Sequence, residues 1–107
     1  MTFADEFVIP VLEGEKTATV RQSGSDIHMN NVVTAITEHG VEFAKLNITR
    51  TAELQAVEAH DFIQLVGGKH STESEEDMLS TLNQYYPGIR PGSQVKVFVF
   101  ERLDGGV

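Results

Sequence analysis

The segment Gln94 to Arg102 constrains the fold most, because Val95, Val97 and Val99 alternate with Lys96, Phe98 and Phe100, so an extended chain here is apolar on both faces. A strand of that kind is covered on both sides rather than solvated on one. A chain of 107 residues has the size of one domain, and residues 1–107 are expected to fold around one core.

Hydrophobic periodicity gives the remaining elements. Phe3, Phe7, Val8, Val11 and Leu12 recur at helical spacing, with Pro10 shortening or kinking that helix and Gly14 ending it. Thr17 to Gln22 alternates, with Thr17, Thr19 and Arg21 on one face and Ala18 and Val20 on the other, the pattern of a half-buried strand. Residues Ser23 to Asp26 read as a loop. Asn31 to Thr37 and Val41 to Arg50 form a hairpin across Glu38-His39-Gly40, and the apolar register change after Phe43 predicts a bulge or burial on both faces. Leu54 to Val66 reads as a helix ended by Gly67-Gly68. A second helix carries Met78, Leu79, Leu82 and Tyr86 as its apolar stripe, with Ser71 or Thr72 as N-cap and Glu75 as the capping-box partner of Thr72. Pro87-Gly88 closes it, and the tail from Asp104 to Val107 reads as loose. The order of helix, three strands, two helices and strand predicts an α+β domain built on a mostly antiparallel sheet or small barrel with flanking helices.

Charge narrows the partners. With 16 acidic and 8 basic residues the formal net charge is −8, a field that repels a polyanion and disfavours a broad nonspecific nucleic-acid footprint. A neutral or weakly anionic small ligand fits better. The chain contains no cysteine, which removes thiolate nucleophiles, disulfides and cysteine-ligated zinc and suits a reducing compartment. The N-terminus has neither the basic start nor the apolar run of a secretory signal, and no apolar stretch approaches the roughly 20 residues of a membrane span, so a cytoplasmic location without a membrane partner is expected. His28, His39, His60 and His70 lack close ligand spacing, so no metal is expected, and no glycine-rich phosphate loop is present; no cofactor is called for.

The segment Gly14-Glu15-Lys16-Thr17-Ala18-Thr19-Val20-Arg21 is the candidate working site. A lysine in the turn leans over Thr19 on the polar face of the following strand, and a hydroxyl beside an amine is a nucleophile and base of the serine-lysine kind. The amine must be neutral to accept a proton, a condition favoured by burial or by a neighbouring cation such as Arg21. The plainer alternative is a solvated strand edge.

That motif, the strand phrase Val41-Glu42-Phe43-Ala44-Lys45-Leu46-Asn47-Ile48-Thr49 and the helix ending Tyr85-Tyr86-Pro87-Gly88, in this order and spacing, resemble an ASCH domain over nearly the whole chain. The resemblance implies a β-barrel related to the PUA domain and a role in binding RNA or nucleotides. This chain is similar in length to a small bacterial group that hydrolyses N4-acetylcytidine to cytidine and acetate. By that resemblance Lys16 and Thr19 correspond to the catalytic lysine and threonine, with a glutamate assisting proton transfer. This sequence departs from the pattern at the glutamate: ungapped spacing from Tyr86-Pro87 falls on Ser71, and Glu73 is the nearest carboxylate. The expected catalytic set is therefore Lys16, Thr19 and Glu73, with Arg21, Thr17 and His70 binding ligand. The expected partner is a nucleoside-like small molecule or a short RNA. A noncatalytic RNA- or nucleotide-binding module and, further off, a ribonuclease are the alternatives.

Three other features have structural readings of their own. Glu73, Glu75, Glu76 and Asp77 complement the dipole at a helix start. Tyr85 and Tyr86 serve either core packing or stacking on a base. His70 lies in the same loop as Glu73, and a histidine there titrates near neutrality unless its surroundings shift it.

Overall fold

The computed structural model describes residues 1–22, 27–70 and 74–103. Five strands and three helices follow one another as β1 (Thr2–Phe3), α1 (Asp5–Leu12), β2 (Ala18–Gln22), β3 (Val32–Thr37), β4 (Glu42–Gln55), a 3₁₀ turn (Ala56–Glu58), α2 (Ala59–Leu65), α3 (Glu75–Tyr85) and β5 (Gln94–Leu103). The strands form one sheet in the order β1-β3-β4-β5-β2, parallel between β1 and β3 and antiparallel elsewhere. This is the expected α+β architecture with a mostly antiparallel sheet.

The doubly apolar strand β5 lies between β4 and β2, and each of its faces meets a separate core. Val95, Val97 and Val99 pack with Ala18 and Val20 of β2 and with Ala59, Ile63, Met78 and Leu82 of α2 and α3. Phe98 and Phe100 point the other way, into a cluster with Phe3, Val11, Ala35, Leu46 and Ile48, which α1 covers through Val11. Lys96 shares the phenylalanine face and is buried, its Nζ donating to the Ile27 carbonyl at 2.9 Å.

Two bulges bend the sheet. Ala35 pairs with Ala44 while Ile36 pairs with Glu42, which leaves Phe43 as the extra residue, the irregularity that the apolar register predicts. A second shift skips Thr49 between Ile48 and Arg50, and the Thr49 hydroxyl donates to the Val99 carbonyl at 3.2 Å. The curled sheet brings its two edge strands together. Arg21 of β2 reaches across the seam to β1, donating Nη2 to the Thr2 carbonyl at 2.7 Å, with its guanidinium carbon 5.1 Å from the centre of the Phe3 ring.

Three expectations change. Residues Thr2 and Phe3 are an edge strand rather than the start of the helix. Leu54 belongs to β4, opposite Val95, and the helix read as Leu54–Val66 starts only at Ala59, because β4 stays paired with β5 as far as Gln55. The N-cap of α3 is Ser74, whose hydroxyl accepts from the Asp77 amide at 3.1 Å, so Glu75 sits at the first helical position rather than at a capping-box position. Ser71, Thr72, the loop from Ser23 to Asp26 and the tail from Asp104 lie outside the described residues.

Candidate active site

The seam between the edge strands encloses a cavity of about 90 Å³. Thr2, Phe3 and Phe7 line it from β1 and α1, Lys16, Thr19 and Arg21 from the turn and strand that follow, His70 from the loop after α2, and Tyr85 and Tyr86 from the end of α3.

Lys16 is held in a turn by backbone geometry. Gly14 takes a left-handed conformation (φ +75°), and the Pro10 carbonyl receives the amides of both Glu15 and Lys16, at 2.9 and 3.1 Å. The lysine stands just before β2, as the sequence predicts, and is only 3% exposed. Its Nζ lies 4.6 Å from the centre of the Phe7 ring and makes no hydrogen bond to any described residue. Burial, then the positive charge of Arg21, lowers its pKa from 10.5 to about 7, against a smaller opposing pull from Glu6. An amine in this state exchanges a proton at neutral pH.

Thr19 lies one turn of the strand pleat from Arg21 on the same face, with its side chain 5% exposed. Arg21 Nε donates to Thr19 Oγ1 at 3.2 Å. One guanidinium thus holds the Thr19 hydroxyl, the β1 backbone and the Phe3 ring. Its donation to Oγ1 favours charge building on that oxygen when the proton leaves.

Thr17 does not line the cavity. Its amide donates to the Lys69 carbonyl and its hydroxyl accepts from the Lys69 amide, both at 2.8 Å, while its carbonyl receives the Phe100 amide at 2.9 Å. The residue clamps the loop that carries His70 to the start of β2. Gly68 lets this loop pack back against α2, since a Cβ there would meet Ile63 Cγ2 at 3.0 Å. Thr17→Val is expected to cost about 1 kcal/mol, read by chemical denaturation, and to lower activity far less than a change at Thr19.

His70 lines the cavity, but it does not titrate near neutrality. Burial, then Lys16 and His60, lowers its pKa to about 3, so the imidazole stays neutral at working pH. Its other side borders a second, more open cavity of about 370 Å³, lined by His60, Gln64, Lys69 and Glu15 among others.

Glu73 lies outside the described residues. Among the described residues no carboxylate lines the inner cavity. Glu6, whose charge pulls the Lys16 pKa upward, accepts a hydrogen bond from the Tyr85 hydroxyl. Burial and then this bond push the Tyr85 pKa up to about 12. Glu6, Phe3 and Phe7 were not read from the sequence as site residues. Their helical and apolar pattern signals packing, and the partners Glu6 and Tyr85 are 79 residues apart. Among the described residues no group of histidines and carboxylates is arranged to hold a metal ion, and no helix is long and apolar enough to cross a membrane.

The sequence matches no family model and no curated protein. Solved structures do match in fold. Protein EF3133 from Enterococcus faecalis V583, described as a DUF984 family-model protein, superposes with a TM-score of 0.68 at 12% identity, over 92% of this chain and 67% of that one. The ASCH protein from Zymomonas mobilis gives a TM-score of 0.64 at 10% identity, over 95% of this chain and 67% of that one. The ASCH domain from Lactobacillus crispatus JV V101 gives 0.62 at 13% identity, over 94% and 79%. At such identities the likeness is one of architecture, and it agrees with the resemblance carried by the Gly14–Arg21 motif. The chain has the PUA-like α+β fold of the ASCH domains.

Proposed function

We propose that the protein is a small-molecule amidohydrolase acting on a modified pyrimidine nucleoside, N4-acetylcytidine, with Thr19 as nucleophile and Lys16 as proton acceptor. The observation that carries this reading is the buried Lys16 amine, without a hydrogen-bond partner among the described residues and with a pKa near 7, in the same cavity as a threonine hydroxyl held by Arg21.

In the reaction, Thr19 Oγ1 attacks the acetyl carbonyl carbon as Lys16 Nζ takes the hydroxyl proton. The tetrahedral intermediate collapses with breakage of the bond to N4, and the Lys16 ammonium returns the proton to that nitrogen, which leaves as cytidine. A water molecule then attacks the acetyl-threonine ester, again with Lys16 taking its proton, and acetate departs while Oγ1 regains a proton. Lys16 and Thr19 share no hydrogen bond; contacts of this kind commonly tighten only when substrate is bound.

The cavity volume of about 90 Å³ falls between the ~30 Å³ share of one water and the ~150 Å³ of a cavity that admits benzene, which suits an acetyl group and leaves the nucleoside outside it. The adjoining cavity beyond His70 offers His60, Gln64 and Lys69 to the rest of the molecule. A neutral nucleoside also suits a protein of net charge −8.

Incubation with N4-acetylcytidine, followed by chromatography of the products, should show cytidine and acetate in equal amounts. Turnover should be lost in Thr19→Val. Activity no greater than that of the variant rejects the enzymatic reading. A noncatalytic nucleotide- or RNA-binding module is favoured by one specific observation, the lack of a cavity-lining carboxylate among the described residues. RNA binding that is undetectable even at low ionic strength removes that second reading.

A further inference from the structure

The inner cavity is electropositive in an acidic protein. It is lined by Lys16 and Arg21, and among the described residues by no carboxylate. The amino terminus of Met1, which donates to the Thr34 carbonyl at 2.8 Å, is close enough to Arg21 for the two charges to repel. Lys96 stands opposite Arg21 in the β2–β5 ladder. Against this, Glu6 is engaged by the Tyr85 hydroxyl at the α1–α3 side. A buried cationic amine that faces a cavity without a carboxylate is poorly compensated. Lys16 is in that position. The group that completes such a site is a small anion with an apolar end, since the remaining walls include Phe3, Phe7 and Val20.

We infer that the cavity is a carboxylate site: it holds a short-chain monocarboxylate with its oxygens on Lys16 and Arg21 and its alkyl end against Phe3 and Phe7. The inference rests on the hydrolase reading for its biological meaning, where the bound species is the acid product of the reaction. Product retention follows, and the free acid competes with substrate. The groups that face Lys16 set the pH response. Arg21 on β2 stays charged, His70 on the loop stays neutral and Tyr85 on α3 keeps its proton, while the Tyr86 hydroxyl just beyond α3 and the Glu6 carboxylate on α1 flank the same site. The pKa of the Met1 ammonium is lowered from 8.0 by burial and then by Arg21, and this group sits on the β1 side.

Sodium acetate is the probe, with sodium chloride at equal ionic strength and uncharged acetamide as controls, and binding read from amide and methyl NMR shifts. Acetate should bind saturably, with shifts at Thr19, Arg21 and Phe7 that neither control reproduces. Affinity should fall about tenfold from pH 6 to pH 8 as Lys16 loses its proton. Lys16→Met, checked for a dispersed native spectrum, should abolish binding and its pH dependence; Lys16→Gln serves if the methionine variant fails to fold. Chloride shifts equal to those of acetate, or acetate binding unchanged in the Lys16 variant, overturn the inference. Turnover of N4-acetylcytidine without inhibition by acetate overturns it too while leaving the hydrolase reading intact. Acetate binding without turnover removes the hydrolase reading alone.

Discussion

Replacing Lys16 by methionine is expected to abolish turnover while making the protein markedly more stable. The activity loss follows from removing the proton acceptor, worth about 10²–10⁴-fold in rate. The gain in stability follows from linkage. The Lys16 amine titrates at 10.5 when unfolded and at about 7 when folded. Between these values the unfolded chain binds the proton and the folded protein does not, so stability rises with pH across this window and the penalty is complete below pH 7. A shift of this size corresponds to about 4–5 kcal/mol at ~1.4 kcal/mol per unit. Local relaxation and water entry reduce it, and Lys16→Met should gain on the order of 3 kcal/mol at pH 6. Methionine keeps the unbranched stem that packs on Phe7. Urea denaturation of both proteins at several pH values provides the check: the gap should be widest at low pH and close as pH approaches 10.5. A variant destabilised at pH 6 contradicts the burial argument.

The second large effect belongs to Arg21. Arg21→Gln removes the hydrogen bond to the Thr2 carbonyl across the seam and the one to Thr19 Oγ1. The expected loss of stability is about 2 kcal/mol, since bonds to charged groups contribute about 1.5–3 kcal/mol each and the relief of burying a guanidinium offsets part of it. The kinetic consequence separates charge from structure. With Lys16 as base, the acid limb of kcat/KM lies near pH 7. Arg21 is the second-largest cause lowering that pKa, so removing its charge moves the limb to higher pH. Arg21→Lys keeps the charge and should leave the limb near its original position, although one ammonium cannot reproduce the two-nitrogen bridge. A limb that stays at pH 7 in Arg21→Gln shows that burial alone sets the Lys16 pKa.

Features governed by local periodicity were legible in the sequence. The alternation of Val95 to Phe100 marked a strand with two apolar faces, and the structure supplies a separate core for each. The register break after Phe43 marked a bulge, and the side-chain alternation from Thr17 to Arg21 put Thr19 and Arg21 on one face. Features made by distant partners were not legible. Nothing near Thr2 signals an edge strand, because its pairing partner Ile36 lies in β3, far along the sequence. Thr17 shares the polar face of Thr19, yet a loop that returns 52 residues later captures its hydroxyl. Leu54 has the apolar character of either a helix or a strand, and only continued pairing with Val95 assigns it to β4. His70 lay in the expected loop, but its neutral state follows from burial beside Lys16 and His60, which spacing alone does not reveal.

The account turns on a Lys16 amine that gives up its proton around neutral pH. Its Cε carbon and hydrogens report the protonation state directly in a ¹³C-labelled sample titrated from about pH 5 to 11, the resonance being assigned by its absence from Lys16→Met. A midpoint near 7 is the predicted result. A midpoint at the ordinary lysine value of 10.5 would leave the amine charged in the resting site and contradict its role as proton acceptor.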